Sequence, residues 1–341
     1  MFYRVRPIAL ALLLSLLFAD ARPASATETD QFTTPPAPRN HLGPHLSRKI
    51  VRIIEESNRP NDDPERILMD WVGHNVFASR LVRWIKEIRA AAGPVTFLPH
   101  IHNSIYRIAL SPAPASFLFD SPTIHVHGAF LGTDKIDHFF QQGFEYYEIV
   151  LKQESLGATP DQALAAAVAR GVKQEHNYYG TLASGIYSNA DLAANYAGLK
   201  FYLNLRRPVR IANRELPPLF QRTPQGWRLR AGIDPARILE PFFSNHLDES
   251  LNPSRYRFSR RTIRPLIRER CARWTRFYSD RLDLVAPAAQ SFAATWFGEP
   301  YGHWLPLNQE ISIATECAAY LPRGPITMKP AAPAAEGDSH E

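Results

Sequence analysis

Cysteine is nearly absent: Cys271 and Cys317 are the only two in 341 residues, and their spacing matches no zinc-binding cysteine motif. After residue 18, no run approaches the roughly 18 apolar residues that a membrane-spanning helix needs. The chain contains no G-x-S-x-G elbow, no H-E-x-x-H, no P-loop and no dinucleotide fingerprint. Support is thereby removed from elbow-type serine hydrolases, zincins and nucleotide enzymes. Nor does any segment repeat.

The start of the chain reads as an export leader. Arg4 and Arg6 precede the apolar run 8–18, which is too short to span a bilayer, and Ala24-Ser-Ala26 has the small-residue pattern that signal peptidase accepts. Cleavage after Ala26 is expected, leaving a periplasmic or secreted chain of about 315 residues without a transmembrane segment, long enough to bury a large core. No cysteine follows the apolar run for lipid attachment. In an oxidising compartment Cys271 and Cys317 can form a disulfide; two buried thiols are the alternative.

Charge is mild in total and uneven in place. The chain has 39 Lys+Arg and 33 Asp+Glu; losing Arg4, Arg6, Arg22 and Asp20 with the leader leaves 36 against 32, or +4. Residues 255–281 alone hold ten arginines against Glu269 and Asp280. A solvated helix face is one reading of this cluster, and an anionic envelope polymer as partner is another. No nucleic-acid motif accompanies it, and an exported protein seldom meets its own genome, so nucleic acid is not expected.

Periodicity points to a mainly α-helical domain with a small β element, an α+β arrangement being the variant. Residues 27–44 are proline-rich and read as a flexible lead-in, residues 45–326 as one domain, and residues 327–341 as a disordered tail. Helices are expected from His45, and from Asp63-Pro64 along the stripe Ile67, Trp71, His74, Ala78, Leu81, Ile85 and Ile88, with His74 as a core histidine. Short apolar runs punctuated by proline between Gly93 and Gly132 suggest the β element. Residues 134–205 are strongly helical, and a further helix around 261–278 carries Ile263, Ile267, Cys271, Trp274 and Tyr278.

The middle helices, within 132–205, carry the chemistry. At about 100° per residue, Asp134, His138, Gln141 and Glu145 share one stripe of a helix whose other faces are largely aromatic. A buried polar stripe must find partners. In the next helix Glu175 lies in register with Leu164, Val168, Gly171 and Val172, where burial raises a carboxyl pKa and suits it to proton transfer; a structural carboxylate paired to arginine is the alternative. In the third, Ser188 can cap and Asp191 can complete a capping box, while Asp191, Asn195, Gly198 and Tyr202 again share a stripe. If the helices pack together, these carboxylates converge with His138 and demand shared protons, a metal or arginine.

At these residues the chain resembles a family. Asp134-Lys-x-x-His138-Phe followed by Asp191-x-x-x-Asn195-x-x-Gly198 is similar to the signature of VanZ-like proteins, and closer to that of uncharacterised bacterial secreted proteins with the same two motifs. The resemblance covers about 75 residues and implies one recurring helical site. It brings no activity with it, and the several transmembrane helices of VanZ-like proteins have no counterpart here.

Two further features stand outside the stripes. His100-Ile-His102 and His125-Val-His127 would each place two imidazoles on one strand face, a metal-site pattern that surface strands also produce by alternation. His246, Asp248 and Glu249 sit in a turn-rich segment, 242–254, that could line a site or be turn chemistry alone.

The favoured expectation is a cell-envelope hydrolase of glycosidic or phosphoester bonds. Its catalytic residues would be Glu175, His138, Asp134 and Asp191, with Gln141, Glu145, Asn195 and Tyr202 holding substrate. A divalent metal would be required for phosphoesters. The alternative is a non-catalytic envelope protein in which the same groups form a buried hydrogen-bond network. An open pocket at the cluster would favour the enzyme; sealing with every group paired would favour the network.

Overall fold

Proline at the first helical position, paired with apolar stripes of period 3.6, sets the N-terminal elements of the computed structural model. It describes residues 29–35, 41–57, 59, 61–74, 78–92, 96–100, 103–108, 121–177, 180–181, 185–211, 214–257, 260–278, 301–302 and 311–321. Helix α1 (Gly43–Glu55) buries Leu46, Ile50, Val51 and Ile54 along one face. Helix α2 (Pro64–Val72) starts on proline.

The single helix expected from Asp63 to Ile88 is two. Helix α2 stops at Gly73, whose φ of 73° suits glycine, and α3 (Arg80–Ala92) begins anew after Ser79. The Ser79 hydroxyl accepts the Val82 N–H at 3.1 Å, a first-turn cap. His74, expected in the core, is exposed in this break.

A small antiparallel sheet follows: β1 (Thr96–Phe97), β2 (Thr123–Val126) and β3 (Ala129–Gly132), in the order β1-β2-β3. The β2–β3 loop is His127-Gly128, with φ of 47° and 80°, the two-residue turn whose twist matches a hairpin.

From β3 the chain runs into α4 (Thr133–Asp137), a π turn (His138–Gln142) and α5 (Gly143–Ser155). Helix α6 (Pro160–His176) is opened by a capping box between Thr159 and Gln162. After β4 (Ile186–Tyr187) comes α7 (Asn189–Arg206), the central helix, buried almost all round. Alanines 190, 193, 194 and 197 and Gly198 let its neighbours approach, and α5 packs on both α6 and α7. Two hairpins, β5 (Val209–Ile211) with β6 (Arg214–Leu216) and β7 (Phe220–Thr223) with β8 (Gly226–Leu229), lie beyond it.

Around this main core sits a second apolar cluster. β9 (Arg255–Tyr256) pairs with β4, and α8 (Arg260–Phe277) buries Ile263, Leu266, Ile267, Cys271 and Trp274 against α9 (Ile313–Glu316) and Phe32. Cys271 and Cys317 lie at disulfide distance, Cα atoms 5.4 Å apart. The architecture is mainly α with small β elements. Among the described residues, no helix is long and apolar enough to cross a membrane. The expected lead-in differs from the structure at 29–34, which are buried, and at Gly43 and Pro44, which belong to α1; the expected tail lies outside the described residues.

Candidate functional site

Two helix starts and one turn meet at a lysine. Asp134 and Lys135 stand in the first turn of α4, Asp191 in the first turn of α7, and Glu249 in the turn-rich segment after Asn245–Leu247. Helix N-termini favour carboxylates, which places both aspartates well. The Lys135 Nζ lies 2.6 Å from Asp134 Oδ2, 2.5 Å from Asp191 Oδ1 and 2.5 Å from Glu249 Oε1. Lys135 is fully buried, 0% exposed.

The outer contacts complete the cage. Thr29 Oγ1 donates to Asp134 Oδ1 at 2.7 Å, Ser188 Oγ to Glu249 Oε1 at 2.7 Å, and Ser254 Oγ to Glu249 Oε2 at 3.1 Å. Ser188 also caps α7, its hydroxyl accepting the Asp191 N–H at 3.1 Å. The Asp191 carboxylate does not close a capping box; it turns inward to Lys135 and to His138. His138 Nδ1 lies 2.9 Å from Asn195 Oδ1, and Nε2 lies 3.4 Å from Asp191 Oδ2.

Four acids gather around the single ammonium of Lys135 and the His138 ring, so protons must be shared. Burial would push Asp191 up, but the charges of His138 and Lys135 outweigh it and hold the carboxyl below its ordinary range. Glu175 goes the other way. Burial, and then the Asp191 charge, drive it well above the usual carboxyl range, against the pull of the hydrogen bond it accepts from the Ser188 N–H at 2.8 Å. Glu249 is also raised, because burial exceeds the opposing pull of Lys135. Within the cluster, burial thus favours the protonated form at Glu175 and, against the pull of Lys135, at Glu249. Gly180 makes room for the first of these, since a Cβ there would lie 2.2 Å from Glu175 Oε1.

Asp134, Asp191 and Glu249 are also the one group among the described residues whose ligand atoms, all within 4.8 Å of one another, could hold a metal ion. The Lys135 ammonium touches all three of these carboxylates. It is a built-in cation where a metal would otherwise be needed.

Five of the eight residues expected to form the site are brought together: Asp134, His138, Glu175, Asp191 and Asn195. The other three are placed elsewhere. Gln141 is buried against Asp137, which burial raises to about 6 against hydrogen bonds from Ser79 and Gln141. Glu145 takes Gln174 Nε2 at 3.0 Å and Arg170 at 3.3 Å. Tyr202 donates its hydroxyl to the Phe140 carbonyl at 2.9 Å, away from the cage. For Gln141 and Glu145 the cause is the π turn at 138–142, which inserts one residue and shifts the register by about 100° relative to an α-helical wheel, whereas Tyr202 stands about three turns beyond Asp191 on α7.

Sequence reasoning passed over Lys135, although it is the second letter of the Asp134-Lys-x-x-His138 motif. It also passed over Thr29 and saw Ser188 only as a cap. Glu249 stood in the segment singled out at 242–254, and the charged triplet there was the available signal.

Of the H-x-H pairs, His102 lies outside the described residues. His125 stacks on Phe130 with ring centroids 4.6 Å apart, and His41 joins it at 4.9 Å and His127 at 5.5 Å. His127 Nε2 is 3.0 Å from Ser47 Oγ, and burial followed by the charge of His41 lowers the ring to about 4. These rings tie β2 to the chain entering α1, where Leu42 N–H donates to the His125 carbonyl at 2.8 Å. In comparisons with protein-family models, curated proteins and solved structures, nothing matches this chain.

Proposed function

We propose that this chain is an exported envelope protein that works by binding rather than catalysis, its lysine-centred network serving to lock the helical core. One observation carries this reading. Asp134, Lys135, His138, Glu175, Asp191, Asn195 and Glu249 are all at most 4% exposed, and Lys135 already occupies the carboxylate oxygens of Asp134, Asp191 and Glu249 that a substrate or metal would have to engage. Export is supported by the leader pattern of residues 1–26 and by the cysteine pair at disulfide distance.

The working surface in this reading is α8. Arg261, Arg268, Arg273 and Arg276 are exposed, and Glu269 is the only acid within the helix. Arg264 and Arg268 pair with Glu316 at 2.8 and 2.9 Å, which fixes the helix against α9 and leaves its outer face positive. Such a face suits an anionic envelope polymer. The test is retention of the folded protein on an immobilised polyanion across a salt gradient. Arg261→Glu with Arg276→Glu is expected to abolish retention at unchanged melting temperature; retention unaffected by the charge reversal would refute the reading.

The second reading, an envelope hydrolase, draws on one specific observation: Glu175 is a buried carboxyl beside the Asp191–His138 pair, and burial favours its protonated form, the condition of a proton donor. Glu175→Gln with turnover measured on envelope material tests it. A hydrolytic activity lost in the variant would move the conclusion to catalysis.

A further inference from the structure

Residues 29–34 belong to no helix or strand, yet none is more than 9% exposed. A buried segment without secondary structure must find its polar partners elsewhere, and here side chains supply them. Thr29 donates to Asp134. The Asp30 carboxylate accepts the N–H groups of Ile105 at 2.8 Å and Thr33 at 2.9 Å, and the Thr33 hydroxyl at 2.7 Å. Gln31 spans two elements, its Nε2 donating to the Phe130 carbonyl at 2.8 Å and its Oε1 accepting the Glu249 N–H at 2.7 Å.

Phe32 enters the second apolar cluster at 0% exposure, and the Thr34 carbonyl accepts from Arg273 at 3.3 Å. Gly132 is shaped to the same segment, because a Cβ there would stand 1.8 Å from Thr29 Oγ1. Ile105, β3, Glu249 and α8 thus form a slot, and its occupant touches two of the three carboxylate residues around Lys135, Asp134 by side chain and Glu249 by backbone.

We propose that this slot is a peptide-binding groove, filled in cis by residues 29–34, and that this strap is the removable cover of the Lys135 cage. The groove selects a peptide turned at its middle by an Asp30–Thr33 type contact, with a hydroxyl for Asp134, a carboxylate for the Ile105 N–H, an amide to bridge Phe130 and Glu249, and a ring for the second core. Among the described residues no β ladder holds the strap. Its contacts are side-chain contacts, so it can leave as a unit without unpairing any sheet. Departure strips Asp134 and Glu249 of a partner each and opens the cage to water.

The test uses the full chain with a protease site inserted between Pro36 and Asn40 and cut after folding. In the cut protein the strap is expected to stay bound and to exchange with a labelled synthetic peptide of residues 27–35. In the cut Phe32→Ala protein it should dissociate, with amide hydrogen exchange at Asp134, Lys135 and Glu249 rising at least about tenfold. Excess wild-type peptide of residues 27–35, which carries the missing ring, should rebind the emptied groove and restore protection there; failure of the peptide to rebind, or binding that leaves these amides unprotected, would refute the proposal. Cut protein that releases the strap without any change in exchange at these amides would equally overturn the proposal. Should Phe32→Ala not fold, uncut Asp30→Asn with Thr29→Val reads the same exchange, and unchanged protection there refutes the cover.

Discussion

The Nζ of Lys135 and the Oε1 of Glu249 lie 2.5 Å apart, joining the start of α4 to a turn more than a hundred residues further along the chain. With Asp134 and Asp191 on the same ammonium, one side chain ties α4, α7 and the segment after residue 245 together. Lys135→Met keeps the length of the side chain and removes its charge, leaving buried carboxylates uncompensated. Denaturant unfolding at neutral pH is expected to show a loss of about 3–5 kcal/mol. The deficit should narrow as the pH falls, because protons then neutralise the orphaned acids. A loss below about 1 kcal/mol would mean that the cage does not depend on its cation.

Glu175 gives a pH signature of defined sign. Its folded-state pKa is raised, by burial first and the Asp191 charge second, so the folded chain holds a proton that the unfolded chain releases. The stability this contributes is complete below the unfolded value of about 4.3 and is lost as pH rises through the folded value. Glu175→Gln resembles the neutral acid and still accepts from Ser188 N–H, so at neutral pH it should cost less than about 1 kcal/mol. The difference in stability between wild type and variant, followed from about pH 5 to about pH 8, should move in favour of the variant. A loss of about 3 kcal/mol in the variant would instead identify Glu175 as a charged partner of a buried cation.

The helical class and the convergence of three middle helices were legible in the sequence, because aromatic and alanine-rich faces leave their polar stripes nowhere to go but inward. Asp134, His138, Glu175, Asp191 and Asn195 were found on that ground. Gln141 and Glu145 were grouped with them by a uniform wheel that has no means of showing the π turn at His138–Gln142. Lys135 lies one residue from Asp134, off the stripe in any ideal helix, and reaches the acids only because its flexible stem bends back to them. Thr29 and Glu249 come from segments whose composition says turn or linker, and long-range side-chain contacts of that kind leave no periodic trace. The hairpins at 209–229 passed unnoticed because their strands are three or four residues long.

The pair Cys271 and Cys317 is separated by 46 residues and fastens α8 to the short helix α9. A cross-link closing a loop of that length restricts the unfolded chain by about 4 kcal/mol in the chain-entropy relation. Replacing both cysteines by serine is expected to lower stability by about 2–4 kcal/mol, measured by denaturant unfolding without reductant. Thiol titration of wild type under denaturing, non-reducing conditions should find no free thiol, and two free thiols would exclude the bond.

The last prediction concerns the seam between α5 and α7, on which the geometry of His138 rests. Gly198 faces the π turn so closely that a Cβ would stand 1.9 Å from the Phe139 carbonyl oxygen, and one on Gly143 would stand 2.6 Å from the Gly198 Cα. Both obstacles are backbone, which cannot rotate aside as a side chain can. Asn195, the partner of His138, lies one turn before Gly198 on the same helix, so any widening of the seam pulls on that hydrogen bond. Gly198→Ala is expected to cost about 3 kcal/mol or more, the upper range for overpacking, and to shift the His138 ring resonances in proton NMR spectra. Gly157→Ala separates crowding from backbone strain: its φ is 87° with open space around it, so it should cost only about 1–2 kcal/mol and leave His138 unmoved. A Gly198→Ala protein as stable as wild type would show that the helices can part without harm, and the close approach would then have no role in setting the site.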